Sequence, residues 1–158
     1  MLNQLLIQLV TKSSEELLAT VAATAEDKLD WRPLDEGRSV RDLLSECAYT
    51  ALGVEAMLTK PVVGVPHINE FMAGLELAKS WTREESVEKL KSAVAGLAAA
   101  VEGFTPEQLA ETITVEMHRG PVPISKTQWL LMLQRTFIAR FAQINYIQHL
   151  YGDHEYHN

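Results

Sequence analysis

Three polar residues near the end of the chain, Thr136, Arg140 and Gln143, share one face of a segment that is otherwise apolar. At about 100° per residue, Thr136 and Arg140 lie about 40° apart on a helix, and Gln143 lies within about 20° of Thr136. The apolar residues of the same face are Trp129, Met132, Leu133 and Ile147. A buried guanidinium cannot shed its proton and is costly when unpaired. Arg140 therefore requires a carboxylate, an anionic ligand or, if only its stem is packed, an opening to water.

The C-terminal stretch HLYGDHEYHN gathers three of the five histidines beside two carboxylates. The H-x-x-H spacing of His154 and His157 is a weak signal for zinc, and chain ends are commonly frayed, so we expect a solvated tail. The sequence contains no nucleophile elbow, phosphate loop, dinucleotide fingerprint, H-E-x-x-H or EF-hand pattern. The face that carries Arg140 is therefore the main candidate for a functional site.

Composition narrows the class of protein. Hydrophobic residues make up 47% of the 158-residue chain, which is long enough to bury a substantial core and fits one domain. The net charge of -7 argues against a general nucleic-acid binder, which needs a basic face, and no apolar run approaches the roughly 20 residues of a membrane span. The stretch MLNQLLIQLVTKSSEEL lacks the basic region and cleavage site of a signal peptide. The single Cys47, interpreted as a packed core thiol, fits a reducing cytoplasm.

Four segments have the apolar spacing of long amphipathic helices. They cover about residues 2–26, 40–58, 83–104 and 126–151. Three of them are preceded by capping-box signals, in which a hydroxyl and a side chain three residues later satisfy free backbone N–H groups. These signals are Ser39 with Asp42, Thr82 with Glu85, and Ser125 with Gln128. A C-terminal stop at Gly152 is expected for the last helix.

Two connections are less regular. Residues 61–81 form either a short helix or a loop that packs Phe71 and Leu75 onto the other helices. Thr105 and Pro106 predict a helix of one or two turns. The alternation in the stretch ITVEM then indicates an extended piece, for which we expect no sheet, since one strand cannot make one.

Four helices of this length predict an all-α fold, most simply an antiparallel four-helix bundle. We expect a single domain over residues 1–152 and a tail over residues 153–158, and the long connection between helices 2 and 3 leaves room for a crossover. The last helix also carries Ile138 and Phe141 on its opposite side, which fits burial on two faces. A homodimer is therefore predicted.

The stretches DKLDWRPLDEGRSVRDLLSECAY and RTFIARFAQINYIQHLYG, with the long second connection, resemble the DinB-like (DinB/YfiT) superfamily. The resemblance implies a four-helix bundle that in many members holds a divalent metal through three histidines. The family's helix-2 pattern S-v-x-d-L-l-x-H has a histidine where this chain has Glu46. Its last-helix pattern H-x-x-x-H-x-G-Q-i has histidines where this chain has Thr136 and Arg140, and only Gln143 and Ile144 remain from its end.

These departures predict that no metal binds there. Glu46 is a suitable ligand for a hard cation, but Thr136 is a weak neutral ligand, and Arg140 cannot ligate and repels a cation. The exchange instead predicts an ion pair between Glu46 and Arg140, to which Thr136 and Gln143 add hydrogen bonds. Glu46 lies about 120° from the centre of its apolar stripe, so it must reach inward.

Three functions are compatible with these residues. The first is a metal-free member in which Glu46, Thr136, Arg140 and Gln143 line a pocket for a small molecule, with an anion as one candidate. The second is an enzyme that resembles the family's metal-dependent transferases of low-molecular-weight thiols, or a metal-independent version in which Arg140 holds a substrate carboxylate. The third is an interaction protein that uses the second apolar face of the last helix.

Overall fold

The computed structural model describes residues 1–62 and 64–158, and its four long helices follow the predicted order. The α-helices are α1 Leu2–Ala23, α2 Val40–Thr59, α3 Ile68–Ala78, α4 Arg83–Glu102, α5 Pro106–Ala110 and α6 Lys126–Leu150. The strands are β1 Thr112–Met117 and β2 Gly120–Ser125. No helix among the described residues is long and apolar enough to cross a membrane.

The predicted helix starts are confirmed by their caps. Ser39, Thr82 and Ser125 each accept a hydrogen bond from the backbone N–H three residues later, and each forms the full capping box. A cap of this kind stabilises a helix by about 0.5–2 kcal/mol. The last helix stops where the sequence predicted, because Gly152 adopts a φ of 102°, a conformation that favours glycine.

The four long helices form the bundle. Helices α1 and α2 each pack mainly against α4 and α6, so α1 and α2 lie on one diagonal. Thr20, late in α1, hydrogen-bonds Gln148, late in α6, so these two helices run parallel. The Asn3 side chain, at the start of α1, donates to the carbonyl of Glu102 at the end of α4, so that pair is antiparallel.

Helix α2 completes the arrangement. Glu46, early in α2, contacts Arg140, late in α6, so these helices are antiparallel. Arg41 and Glu84, in the first turns of α2 and α4, lie close enough for their charges to interact, so α2 and α4 run parallel. The four helices therefore run up, down, down and up.

This arrangement confirms an all-α four-helix bundle with a long connection between helices 2 and 3. The simple antiparallel packing expected from the sequence holds for α1 with α4 and for α2 with α6, whereas the other two neighbouring pairs are parallel. The reason is the crossover: the connection over residues 60–82 returns the chain along about 30 Å of helix before α4 begins.

The crossover contains a helix, α3, which settles the alternatives left open for residues 61–81. Helix α3 packs on α2 through Phe71, whose ring centroid lies 5.3 Å from that of Tyr49. Just before α3, His67 forms a parallel bridge with Glu116 of β1, and the Glu116 N–H donates to the carbonyl of Pro66 at 2.8 Å. The crossover is thereby tied to the β-hairpin.

The expectation of an unpaired extended piece was wrong. Strand β1 pairs with β2 in an antiparallel hairpin, with Val115 opposite Val122. The partner strand GPVPIS was missed because prolines cannot donate to a sheet and normally argue against a strand. In a two-stranded sheet, Pro121 and Pro123 are tolerated, since each strand has one edge that needs no partner.

Candidate functional site

The pair of Glu46 and Arg140 links α2 to α6. Arg140 donates from Nε to Glu46 Oε2 at 3.0 Å and from Nη2 to Oε1 at 2.8 Å, which is a bidentate pair. The remaining edge of the guanidinium donates from Nη1 to Gln143 Oε1 at 2.9 Å. Glu46 thus supplies the carboxylate that Arg140 requires. The sequence had left open a carboxylate, an anionic ligand or an opening to water.

A second arginine, Arg38, contacts the same carboxylate. Its Nη2 forms an ion pair with Glu46 Oε2, and it also approaches the carbonyl of Asp42 at 3.4 Å. Arg38 is not among the predicted site residues, because it precedes the Ser39 cap and lies outside the helix, where the i,i+4 rule does not apply. Glu46 therefore lies between two permanent cations.

Burial and charge determine how this cluster titrates. The Glu46 side chain is 17% exposed and that of Arg140 is 23% exposed. Burial raises the pKa of Glu46, but hydrogen bonds from Arg140 and Arg38 outweigh it and hold the pKa below its usual range. The hydrogen bond to Glu46 raises the pKa of Arg140 in turn. Both groups are consequently charged at neutral pH.

Thr136 does not join the ion pair, which corrects the predicted hydrogen-bonding role. Its hydroxyl donates to the carbonyl of Met132 at 2.9 Å, within its own helix. A threonine in a helix commonly bonds the carbonyl four residues earlier, and this local partner competes with any partner across the interface. Gln143 does contribute a hydrogen bond to Arg140, as predicted.

A cavity of about 400 Å³ lies beside the ion pair, between α2 and α6. Helix α3 and the hairpin contribute further lining residues. Its apolar wall is formed by Val54, Met57, Ile68, Phe71, Val115, Met117, Ile124, Trp129, Met132 and Leu133. Of the four predicted site residues, Glu46 and Thr136 line this cavity, whereas Arg140 and Gln143 do not.

Few polar groups reach the cavity wall. Besides Glu46 and Thr136, the polar lining residues are Tyr49, Thr50, His67 and Glu70. The Nε1 atom of Trp129 is buried and has no hydrogen-bond partner among the described residues. In the sequence, Trp129 appears only as an apolar residue of the α6 face, since whether its indole N–H finds a partner depends on what the other helices place opposite it.

The residues at the family's metal position do not fit a divalent cation. Both Glu46 oxygens are engaged by arginines, Thr136 offers one weak oxygen, and Arg140 places a permanent positive charge there. A metal ion needs several anionic or neutral donors free of such competition. Within residues 1–62 and 64–158, no cluster of three His, Cys, Asp or Glu side chains is arranged to hold a metal.

Two other candidates carry no chemistry. The Cys47 thiol is fully buried, and its burial, with the neighbouring Glu46 carboxylate, raises its pKa far above the usual range, so it is not nucleophilic.

In the tail, His157 Nε2 lies 2.9 Å from Asp153 Oδ2, and the Tyr156 ring packs edge-on against Phe141. The tail therefore folds back along α6 while His154 and Tyr156 stay exposed.

Comparison with known sequences gives one family. The sequence model of the DinB superfamily matches residues 9–135. The match ends one residue before Thr136, so Arg140 and Gln143 also lie beyond it. No curated protein matches the chain in sequence.

Solved structures share the fold at low identity. YfiT from Bacillus subtilis, described as a probable metal-dependent hydrolase with an unusual four-helix bundle topology, has a TM-score of 0.72 at 17% identity, over 95% of this chain and 87% of its own. A conserved protein from Enterococcus faecalis has a TM-score of 0.67 at 15% identity, over 93% and 95%. A mycothiol-dependent maleylpyruvate isomerase has a TM-score of 0.70 at 13% identity, and this chain spans 60% of it.

Proposed function

The chain belongs to the DinB superfamily, and on that premise we propose that it is a metal-free member whose cavity binds a small molecule. The main support is the bidentate pair of Glu46 and Arg140, which occupies positions that the family motif assigns to metal-binding histidines. The adjoining cavity of about 400 Å³ falls within the roughly 300–1,000 Å³ of small-molecule sites. Glu46 and Thr136 would meet the ligand, while Arg140 binds Glu46 outside the cavity and Gln143 accepts a hydrogen bond from Arg140.

A thiol S-transferase is the second candidate, because a mycothiol-dependent isomerase shares this fold. Its metal-independent version would need the Arg140 guanidinium to hold a substrate carboxylate. That guanidinium already binds Glu46 along one edge and Gln143 along the other, and it lies outside the cavity wall. The contacts of Arg140 therefore favour ligand binding over catalysis.

Metal analysis of untagged protein tests the metal-free proposal. We expect far less than one equivalent of zinc, nickel or manganese per chain, and no rise in Tm when these ions are added. The matched positive control is the triple variant Glu46→His/Thr136→His/Arg140→His, which restores the family's ligand set and should gain metal-dependent stability. Stoichiometric metal in the wild type that is lost in Glu46→Gln would overturn the proposal.

We further propose that the protein is a homodimer that associates through an apolar surface between α1 and α6. Its α1 residues, Leu2, Leu5 and Leu9, are 50%, 51% and 36% exposed, and its α6 residues, Leu131 and Ile138, are 43% and 45% exposed. We call these five residues the α1–α6 surface. Leu2 and Leu9 lie within about 20° of Thr20, which contacts α6, so they belong to the α6 side of α1.

Charge supports a second copy as the partner of the α1–α6 surface. The chain carries a net charge of -7, so two copies repel each other wherever carboxylates face. The first 11 residues of the chain contain no charged side chain, and neither does the α6 stretch TQWLLMLQ.

We also propose a cytoplasmic location, from the single buried Cys47, and no nucleic-acid partner, from the net charge.

A further inference from the structure

We propose that the ligand of the cavity is an uncharged, mainly apolar molecule. This inference rests on the proposed function, because it names the ligand class of the same cavity. Two properties of the cavity wall carry it: the apolar lining and the location of the charged groups.

The lining favours an apolar molecule. Aliphatic, methionine and aromatic side chains from α2, α3, α6 and both strands make up most of the wall. Burial of apolar ligand surface against such a wall is favourable in proportion to the area removed from water. Met57, Met117 and Met132 lie on three different elements, and their flexible side chains adapt to irregular ligand shapes.

The charged groups around the cavity disfavour an anionic ligand. The carboxylates on the wall belong to Glu46 and Glu70, whereas Arg38 and Arg140 bind Glu46 but do not line the cavity. An anion entering the cavity would lose its hydration and face carboxylates without a free cation on the wall. The anionic ligand that an arginine suggested in the sequence is therefore disfavoured by the position of Arg140.

A cation is disfavoured for a different reason. The charge of Glu46 is already compensated by two arginines, so this carboxylate offers little to a third cation. Glu70 is exposed, where an ion pair contributes little because water competes for both partners. His67 Nδ1 accepts a hydrogen bond from the backbone N–H of Asn69 and caps α3, so this ring nitrogen is not free for a ligand. An uncharged ligand requires neither a free carboxylate nor a free cation on the wall.

Three eight-carbon probes with different head groups test the charge assignment. We expect 2-octanone to bind at least about tenfold more tightly than octanoate or octylammonium at pH 7, measured by calorimetry and by the change in tryptophan emission. Octanoate or octylammonium binding as tightly as 2-octanone would overturn this inference and leave the proposed cavity function intact. Binding of none of the three would overturn the proposed function itself.

Gly53 offers a matched pair of variants that test the location. A Cβ at this position in α2 would meet only Phe71 Cε2, at 3.9 Å, and Gly53 lines the cavity. Gly53→Ala adds one methyl group, whereas Gly53→Leu fills part of the cavity, and both replace glycine by a better helix former. We expect both to keep the wild-type Tm or raise it, and only Gly53→Leu to lose 2-octanone binding. Retained binding in a folded Gly53→Leu would mean that the probe binds elsewhere and would overturn the inference.

Discussion

Arg140 determines what the junction of α2 and α6 can hold. A guanidinium in this position is permanently charged, and its planar fork matches the two oxygens of Glu46. With Glu46 17% exposed and Arg140 23% exposed, the pair is neither a surface contact nor fully buried. Its contribution to stability therefore lies between the roughly 0–1 kcal/mol of surface pairs and the about 3–5 kcal/mol lost when a buried pair is broken.

Replacement of Arg140 by alanine should destabilise the fold. We expect Arg140→Ala to lower the free energy of unfolding by about 2–3 kcal/mol, because Glu46 keeps only Arg38 as a partner. The measurement is urea unfolding followed by circular dichroism. Arg135→Ala is the control, since Arg135 lies exposed on the same helix and forms no ion pair with the described residues. Equal stability of Arg140→Ala and the wild type would contradict a stabilising pair.

The lowered pKa of Glu46 predicts a dependence on pH. In the unfolded chain, Glu46 is protonated near its ordinary pKa of about 4.3, whereas in the folded protein it is protonated only at lower pH. The ion pair therefore contributes its full stability above the unfolded pKa, and this contribution is lost as the pH falls through the lowered pKa of the folded state. Glu46→Gln resembles the protonated form at every pH. We expect its Tm deficit against the wild type to be largest near about pH 7 and to shrink below about pH 4. A deficit that stays constant between about pH 7 and pH 3 would argue against this titration.

Helix α3 is held on α2 by a close approach at Gly74. A Cβ at this position would lie 1.8 Å from the Tyr49 hydroxyl oxygen and 2.2 Å from Tyr49 Cζ. The Tyr49 ring packs against Phe71 and Trp81, with centroid distances of 5.3 and 6.2 Å, so displacing it disturbs both contacts. Gly74 therefore sets the distance between the crossover and the bundle, and with it one wall of the cavity.

Substitution of Gly74 should loosen this contact. In an unobstructed helix, glycine to alanine stabilises by about 0.5–1 kcal/mol, and Gly53→Ala is the control that should show this gain. We expect Gly74→Ala to lower the Tm instead, and to change tryptophan emission, because Tyr49 must move away from Trp81. A rise in Tm for Gly74→Ala as well as for Gly53→Ala would contradict the close approach at Gly74.

The up, down, down, up course of the helices places the N-terminal halves of α1 and α6 side by side. Their exposed leucine and isoleucine side chains form the α1–α6 surface, which a purely antiparallel bundle would not assemble in this way. The neighbouring side of the molecule, between α2 and α6, carries the cavity and the ion pair.

Charge inserted into the α1–α6 surface should separate the proposed dimer. We expect the wild type to sediment as a dimer at micromolar concentration, and Leu5→Glu/Ile138→Glu to sediment as a monomer with an unchanged far-ultraviolet spectrum, since buried unpaired carboxylates are costly. Leu77→Glu is the control, because Leu77 is 75% exposed on α3, away from this surface. A monomeric wild type would contradict the dimer.

The sequence by itself determined the long helices, their capping residues and the all-α class, because periodicity and caps are local signals read within one element. It also pointed to the pair of Glu46 and Arg140, since a buried arginine must find a partner and a family motif aligned the two positions. Whether these residues bind a ligand stays a prediction.

The tertiary structure alone decided the remaining features, because each depends on elements that are distant in the chain. Arg38 reaches Glu46 from outside the helix, and Gly74 matters only because Tyr49 lies against it. The direction of the crossover determined that α1 and α6 run parallel. The cavity exists only where α2, α3, α6 and the hairpin meet, and no local pattern records how much space four separate elements leave between them.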